Sequence, residues 1–313
     1  MSAGSGRGQL VGVDGLFSFY QNLSINTYVA ASRSGQGAKT AGSYRAQLDY
    51  NGDRYGVQAE RLAVNDGFTP DVGFLRRRAF IRNTAYARFS PRPKSIASVR
   101  KFTWDAGYDY ITNPHGRLES RQAQAAFRSE FQNGDQLGIE TTLNYERLAE
   151  PFEIHPGVFL QVGSYGFPEL RFTYGFGPQR KASGMVSLER GSFYSGTRTG
   201  ISTNRGRVEI TPRLSVEPGL TVNWVTLPEG DFTTTLLTAR PSYALSPRMA
   251  ASAFVQYNST ATTFNTSVRF RWEYQPGSDL FAVYTDGRDT TGRGFPRLRN
   301  RGFVVKVTRL FRT

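Results

Sequence analysis

The sequence has 313 residues, of which 38% are hydrophobic and 33 are glycine, and this ordinary composition excludes a disordered chain. The absence of cysteine excludes disulfide scaffolds and thiolate zinc sites, and two histidines are too few for a histidine-rich metal centre, so neither a metal nor a cofactor is predicted. No window approaches the roughly 18 consecutive apolar residues of a helical membrane span, and residues 1–9 lack the apolar core of a signal peptide.

Arginine dominates the charge of the chain. The net charge is +14, and the five lysines leave 34 arginines among the 39 basic residues. Guanidinium groups suit phosphates and carboxylates. An excess of basic residues therefore suits binding to nucleic acid, to an anionic membrane surface or to an acidic substrate. The positions of the charged residues distinguish these possibilities.

Strict alternation of apolar and polar residues continues along nearly the whole chain, which is typical of β-strands. In chain order the alternation predicts 17 strands, at residues 10–20, 23–33, 42–51, 54–63, 79–90, 98–112, 117–132, 136–148, 167–178, 180–193, 200–212, 213–227, 232–245, 248–259, 264–275, 278–288 and 299–311. Many of them exceed the ~5–6 residues of soluble strands and reach the ~9–11 that a tilted strand needs to cross a bilayer. Strand length therefore favours a transmembrane barrel over a soluble sandwich or propeller.

The predicted strand 264–275 shows two opposite faces. One face carries Phe264, Thr266, Val268, Phe270, Trp272 and Tyr274, and the other carries Asn265, Ser267, Arg269, Arg271, Glu273 and Gln275. We expect the first face to contact lipid and the second to line the lumen. Because the aromatic residues share a face with aliphatic residues and not with arginines, no nucleic-acid partner is predicted.

The predicted connections differ in length. Tight, turn-like links occur at residues 21–22, 51–53, 90–93, 133–135, 177–179, 211–213, 246–248 and 275–277. The intervening links are longer or more irregular, at residues 113–117, 149–165, 227–231 and 287–298. Short turns at one rim and long loops at the other are typical of the periplasmic and extracellular sides of an outer-membrane barrel.

Several motifs resemble a known family. They are residues 72–77 (VGFLRR), 101–104 (KFTW), 150–154 (EPFEI), 177–180 (GPQR), 271–278 (RWEYQPGS) and 306–311 (KVTRLF). Together they resemble a bacterial family of unknown function in which a C-terminal outer-membrane barrel usually follows a module similar to family-9 carbohydrate-binding domains. The closing strand also resembles the signal that the barrel-assembly machinery reads, although Arg312 and Thr313 follow its aromatic Phe311.

The resemblance implies an outer-membrane location in a Gram-negative bacterium, and it implies that a signal peptide, a sugar-binding-like module and the first barrel strands precede this chain. It assigns no catalytic residue. The predicted fold is thus all-β: one antiparallel transmembrane barrel domain spanning residues 1–313, with about 16–18 strands in this chain and a truncated N-terminal side.

Charged residues recur on the predicted lumen face. The candidate ligand-binding residues are Asp105, Asp109, Arg128, Glu130, Glu140, Arg207, Glu209, Arg269, Arg271 and Glu273. A charged lumen can select a polar solute, but any barrel interior must also pair such groups across strands, and both interpretations stay open.

Loop residues supply the remaining candidates: Arg76, Arg77, Glu153 and His155. The basic residues 76–78 suit contact with anionic lipopolysaccharide, and a solvated loop is the simpler interpretation. His155 lies among carboxylates on a proline-rich loop, which is again typical of a solvated rim, and His115 reads as a turn residue. No nucleophile elbow and no phosphate-binding Gly-Lys pair is present.

The sequence predicts an outer-membrane channel or receptor component that handles a polar ligand, with a saccharide as one candidate. Predicted partners are outer-membrane lipid, lipopolysaccharide and the barrel-assembly machinery. One alternative is a membrane-embedded hydrolase with rim carboxylates, although Asp105 and Asp109, four residues apart on a strand, lie roughly 13 Å apart, outside the range of glycosidase pairs. Another is a plugged structural anchor that displays the N-terminal module.

The odd number of predicted strands leads to one further expectation. Bacterial barrels of this class normally have an even number of strands with both termini in the periplasm. The count of 17 is odd, which together with the resemblance favours missing upstream strands. The strand near residues 10–20 should then lie at an open seam with unpaired backbone groups.

Overall fold

The regular elements of the residues that the structure describes are all β-strands. A computed structural model describes residues 8–34, 40–70, 75, 77–292, 294 and 296–311. These residues form 19 strands and no helix. The all-β prediction is therefore confirmed.

The strands up to residue 148 are β1 (Gly8–Phe19), β2 (Leu23–Ser34), β3 (Ala41–Asn51), β4 (Tyr55–Val64), β5 (Phe80–Phe89), β6 (Val99–Thr112), β7 (Leu118–Phe131) and β8 (Gln136–Leu148). The remaining strands are β9 (Phe152–His155), β10 (Val158–Leu160), β11 (Gly163–Phe176), β12 (Ala182–Phe193), β13 (Gly196–Thr211), β14 (Leu214–Thr226), β15 (Phe232–Ser246), β16 (Met249–Asn258), β17 (Thr263–Gln275), β18 (Ser278–Asp289) and β19 (Arg297–Val307).

Seventeen of these strands belong to one antiparallel sheet, and β9 and β10 form a separate two-stranded sheet. Strands that follow one another along the chain pair with each other, from β1 to β6 and again from β12 to β19. The predicted count of about 16–18 strands agrees with the 17 strands of the sheet.

The described chain divides into two compact units. The first unit comprises residues 1–129, 139–153 and 159–170, and the second comprises residues 130–138, 154–158 and 171–313. Strands β1 to β6 lie in the first unit, and strands β12 to β19 lie in the second.

The sheet is not closed. Strand β1 pairs with β2 along its whole length, β19 pairs with β18, and nearly every residue of β1 and β19 is exposed. The expected open edge at residues 10–20 agrees with this arrangement. Its proposed cause, missing upstream strands, stays a prediction.

Few apolar side chains are buried, and the main cluster of them lies in the first unit. Ala41, Val64, Phe68 and Phe80 form it. Phe68 belongs to the β4–β5 connection and is 6% exposed, while the neighbouring Thr69 N–H donates to the Ser32 hydroxyl at 3.0 Å. This part of the β4–β5 connection is therefore packed against the sheet.

A buried carboxylate joins two tight turns in the second unit. Asp135 follows β7 and is 2% exposed. Its carboxylate accepts hydrogen bonds from the Tyr174 hydroxyl at 3.0 Å, the Gly177 N–H at 2.8 Å, and Arg180 Nη2 at 2.6 Å. The hydrogen bond from Arg180, followed by the one from Gly177, lowers the pKa of Asp135 to about 2. The turn after β7 is thereby fixed to the turn after β11.

A one-residue bulge interrupts β13. Between Ser202 and Val208 the chain advances six residues while the facing part of β14 advances only five, from Thr221 to Val216. Arg205 adopts a φ of 52°, and a Cβ at Gly206 would come within 2.6 Å of a carbonyl oxygen of β14. The bulge reverses the alternation, because odd-numbered residues face the apolar side before it and even-numbered residues do so after it.

Three predicted strand boundaries differ from the structure by four residues. The predicted loop 149–165 contains the β9–β10 hairpin, and β11 begins at Gly163 instead of residue 167. Strand β13 begins at Gly196, four residues earlier than predicted. Strand β19 ends at Val307, because the Tyr274 hydroxyl donates to the Thr308 carbonyl at 2.9 Å and the Leu310 N–H donates to the Ser278 hydroxyl at 3.0 Å.

Candidate functional site

The first unit presents a continuous polar face across β3 to β6. The registers place Gln47 opposite Glu60, Glu60 opposite Thr84, and Thr84 opposite Asp109. Directly paired residues project to the same side of a sheet, so these side chains form one transverse row. Each of the four strands supplies this row because its polar residues recur with period two.

Ion pairs neutralise the carboxylates of this row. Arg45 Nε donates to Glu60 Oε2 at 2.6 Å. Arg82 Nε donates to both carboxylate oxygens of Asp109, at 3.2 and 2.9 Å. Each carboxylate is therefore engaged by a guanidinium from a neighbouring or nearby strand.

Asp105 and Arg128 form a third pair on the same face. The side chain of Asp105 is 4% exposed, and that of Arg128 is 48% exposed. Glu140 on β8 adds a nearby negative charge to Asp105. The carboxylate thus lies against the sheet while the guanidinium reaches towards solvent.

A polar concavity of about 360 Å³ lies over this face. Its lining residues are Gln58, Glu60, Arg82, Thr84, Ala85, Tyr86, Gly107, Tyr108, Asp109, Gln122 and Gln124. The amide of Gln122 also donates to Asn144 Oδ1 at 2.9 Å. We call this feature the polar concavity.

The polar concavity suits hydrogen bonding to a neutral ligand better than proton transfer. Its charged groups are paired, and its amides and hydroxyls offer both donors and acceptors. A general acid or base needs a carboxyl that is available to the substrate, and both carboxylates of the concavity are held by arginine. Among the described residues, no group of three or more histidine or acidic side chains is arranged to hold a metal ion.

The second unit has its own polar face, which is richer in arginine. Arg171 Nη2 donates to Glu189 Oε2 at 2.8 Å, and Arg271 Nε donates to Asp279 Oδ1 at 2.9 Å. The Arg271 guanidinium also lies 5.9 Å from the ring centre of Phe281. Similar stacking joins two further pairs, Arg198 with Phe193 at 4.8 Å and Arg240 with Phe254 at 5.4 Å.

The predicted lumen residues occupy polar faces, although they do not converge on one site. Of those in the first unit, Asp105 and Arg128 contact each other, and Asp109 lines the polar concavity. Glu140 is half-buried near Asp105.

The candidate residues of the second unit have separate partners. Arg207 and Glu209 contact each other at 3.3 Å, and both are about half exposed. Arg271 pairs with Asp279, while Glu273 accepts the Gly277 N–H at 3.1 Å. Arg269 is exposed, and Glu130 is half-buried at the end of β7.

The loop candidates do not form a common site. Arg77 lies 3.6 Å from Glu119, and Glu153 is exposed in β9. His155 stacks on Phe232 with ring centres 4.4 Å apart, so its side chain packs against β15 within the second unit. Arg76 lies outside the described residues.

An aromatic row crosses the opposite, apolar face of the first unit. Successive ring centres lie 5.3 Å apart between Tyr55 and Phe89, 5.9 Å between Phe89 and Trp104, and 5.1 Å between Trp104 and Phe127. The row lies beside the ends of the strands that lead to the tight turn at residues 52–54. Trp104 is 44% exposed although its surroundings are apolar.

Sequence reasoning missed most residues of the polar concavity, including Gln58, Glu60, Arg82 and Gln124. The alternation of polar and apolar residues along each strand indicates that these residues lie on the polar face. The alternation does not predict which residues of neighbouring strands lie opposite each other, because the register of two strands depends on the length of the turn between them.

The chain matches no protein-family model and no curated protein. The family resemblance therefore stays a prediction. Within the described residues, no helix is long and apolar enough to cross a membrane.

Proposed function

We propose that the protein is an outer-membrane β-barrel channel or receptor that binds and passes a neutral, hydroxyl-rich solute such as a saccharide. The polar faces line the interior and the apolar faces contact lipid. The observation that carries this proposal is the separation of charge and apolar area onto opposite sides of the same strands.

Exposure supports the lipid-facing assignment. Val57 is 49% exposed, Leu143 is 54% exposed and Trp224 is 48% exposed, all on the faces opposite the ion pairs. In water such a surface is unfavourable by roughly 25 cal/mol per Å² of apolar area, whereas lipid removes this penalty.

Strand length and aromatic placement add support. The strands of the sheet run from 10 to 16 residues, at or above the ~9–11 that a tilted transmembrane strand needs. Aromatic side chains collect where the interface of a bilayer meets a barrel, and the row from Tyr55 to Phe127 lies near the turn end of its strands. Lipopolysaccharide and the barrel-assembly machinery are the partners expected of such a protein.

The polar concavity supports a neutral solute. Its ion pairs leave little unbalanced charge, and Gln58, Gln122 and Gln124 offer amides that hydrogen-bond equally well as donors and acceptors. Hydroxyl groups of a saccharide require that combination of donors and acceptors.

Single-channel recording in planar bilayers tests the proposal. We expect stepwise conductance, and we expect linear oligosaccharides added to one side to interrupt the current in a concentration-dependent manner. If protein that has demonstrably inserted shows no conductance, the proposed channel function is wrong. If the current is unaltered at high oligosaccharide concentration, the proposal that the solute is a saccharide is wrong.

A matched pair of variants tests the location of binding. Gln124→Leu removes one amide from the polar concavity, and we expect it to weaken the oligosaccharide block about tenfold, since an unpaired hydrogen-bonding partner costs about 1–3 kcal/mol. Gln256→Leu removes an amide from the polar face of β16 in the second unit and should leave the block unchanged. Equal effects of the two variants would place the solute elsewhere.

A further inference from the structure

An apolar groove of about 750 Å³ lies on the outer face of the first unit, next to the aromatic row. The registers place Val57 opposite Ala87 and Ala87 opposite Ala106. Small side chains on neighbouring strands leave a depression there, and Trp104 and Phe127 form its border. The far border is formed by Ile139 and Leu170.

A basic segment adjoins the aromatic border of the groove. Residues 90–101 contain four cationic side chains and no carboxylate, and one of these cations, Arg92, is paired with Asp53. Lys94 is exposed in the β5–β6 connection, and Arg100 is exposed at the start of β6. Since alternation places Arg100 on the same face as Phe102, its guanidinium lies on the outer side, beyond the aromatic row.

The chain around this segment is held in place. The Phe102 N–H donates to the Pro91 carbonyl at 3.0 Å, and Arg92 Nη2 donates to Asp53 at 2.8 Å. The Arg88 guanidinium donates to the Gly52 carbonyl at 2.7 Å and to the Ser90 hydroxyl at 2.8 Å. The β5–β6 connection is thus fixed to the turn between β3 and β4.

We propose that this surface is a binding site for an anionic phospholipid, with an acyl chain in the apolar groove and the phosphate headgroup beside Lys94 and Arg100. The site rests on the proposed membrane insertion. The order of its parts along the strands, cations, then aromatic rings, then apolar depression, matches the order of headgroup, interface and acyl region in one lipid leaflet.

Native mass spectrometry tests the site on the 313-residue chain. The protein is released from nanodiscs that contain equal amounts of phosphatidylglycerol and phosphatidylcholine, and the retained lipids are weighed. We expect preferential retention of phosphatidylglycerol. Lys94→Gln and Arg100→Gln should each reduce that preference about fivefold, the effect expected of one cation near an anionic lipid surface.

Matched controls separate the site from general basicity. Arg248→Gln removes an exposed cation from a tight turn of the second unit and should leave the preference unchanged. Ala106→Phe fills the groove and should lower the retention of both lipids, whereas Ala253→Phe on the outer face of β16 should not.

The outcomes distinguish this site from the proposed function. If the protein fails to float with vesicles, membrane insertion is wrong and the site fails with it. If the protein floats and conducts but retains both lipids equally, or if Arg248→Gln acts as strongly as Arg100→Gln, the lipid site is wrong and the channel stands.

Discussion

Asp135 shows how a single side chain stabilises a turn in a sheet with few buried apolar residues. Its carboxylate receives hydrogen bonds from a hydroxyl, a backbone N–H and a guanidinium, all from the segment that ends β11 or follows it. Asparagine keeps the shape but loses the charge that Arg180 requires. A charge-assisted network of this kind cannot be recognised in the sequence Asn-Gly-Asp, which predicts only a turn.

The first prediction concerns pH. Because the folded-state pKa of Asp135 is about 2 and its ordinary value is 3.8, the stabilisation is present above about pH 4 and is lost as the pH falls towards 2. In urea unfolding at neutral pH, Asp135→Asn should be less stable than the wild type, and the difference should shrink as the pH falls below 4. Asp66→Asn removes a carboxylate at an exposed position; it is the control and should be about as stable as the wild type at neutral pH.

The second prediction compares neighbours on β17. Phe270 pairs with Ala251 on the apolar face, and Arg271 lies on the polar face beside Asp279. Phe270→Arg should destabilise the protein by about 2–4 kcal/mol when unfolding from liposomes is measured, because arginine near the bilayer midplane is unfavourable. Arg271→Ala should cost much less stability, as expected for an exposed ion pair. Comparable losses from both changes would contradict the assignment of the faces.

At the scale of elements, period-two alternation was sufficient to predict every strand of the 17-stranded sheet, because a half-buried strand leaves its signature in each pair of residues. Strand ends were less predictable. Phe311 continues the alternation of β19, yet Tyr274 and Ser278 bind the segment after Val307 and end the strand there. Such contacts depend on residues more than thirty positions away.

The candidate site was also only partly predictable: the local alternation places residues on a face, but the register that brings them together depends on distant parts of the chain. Arg207 and Glu209 reach the polar face only because the bulge at Arg205 adds one residue to β13. The polar concavity was missed because Glu60, Arg82 and Asp109 come from three strands whose alignment depends on two connections of different length.

The third prediction tests the bulge. Deleting Arg205 removes the extra residue, so Arg207 and Glu209 should turn to the apolar face. An arginine facing lipid destabilises a barrel by up to about 2–4 kcal/mol, and we expect the deletion variant to unfold from liposomes at a lower urea concentration than the wild type. Arg205→Gly is the control: glycine readily adopts the φ of 52°, so this variant should fold normally. A deletion variant as stable as the control would show that β13 is equally stable with Arg207 and Glu209 on the polar face or on the apolar face.

At the scale of the whole molecule, the proposed topology assigns opposite ends of the strands to opposite sides of a membrane. Strand β16 joins a tight turn containing Arg248 to a turn containing Thr260. Its 10 residues span roughly 33 Å, comparable to the ~30 Å hydrocarbon core of a bilayer.

The fourth prediction uses the absence of cysteine from the sequence. On intact cells, a membrane-impermeant maleimide should label Thr260→Cys and should not label Arg248→Cys until the outer membrane is permeabilised. The opposite pattern would reverse the orientation. Labelling of both positions on intact cells would contradict membrane spanning.

The scarcity of buried apolar side chains bears on how the chain reaches its folded state. Twelve buried hydrophobic residues among those described are too few to drive collapse in water, whereas Trp104, Trp224 and Trp272 lie exposed on the apolar faces. Under the proposed membrane insertion, we expect folding and insertion to be one event, with lipid acting as the solvent that completes the structure. Diluted from urea into buffer, the chain should keep red-shifted tryptophan emission and aggregate, and vesicles should produce a blue shift together with protease resistance. Under the proposed membrane insertion, we expect the unfolded chain to need a partner that covers its apolar segments before it reaches the bilayer.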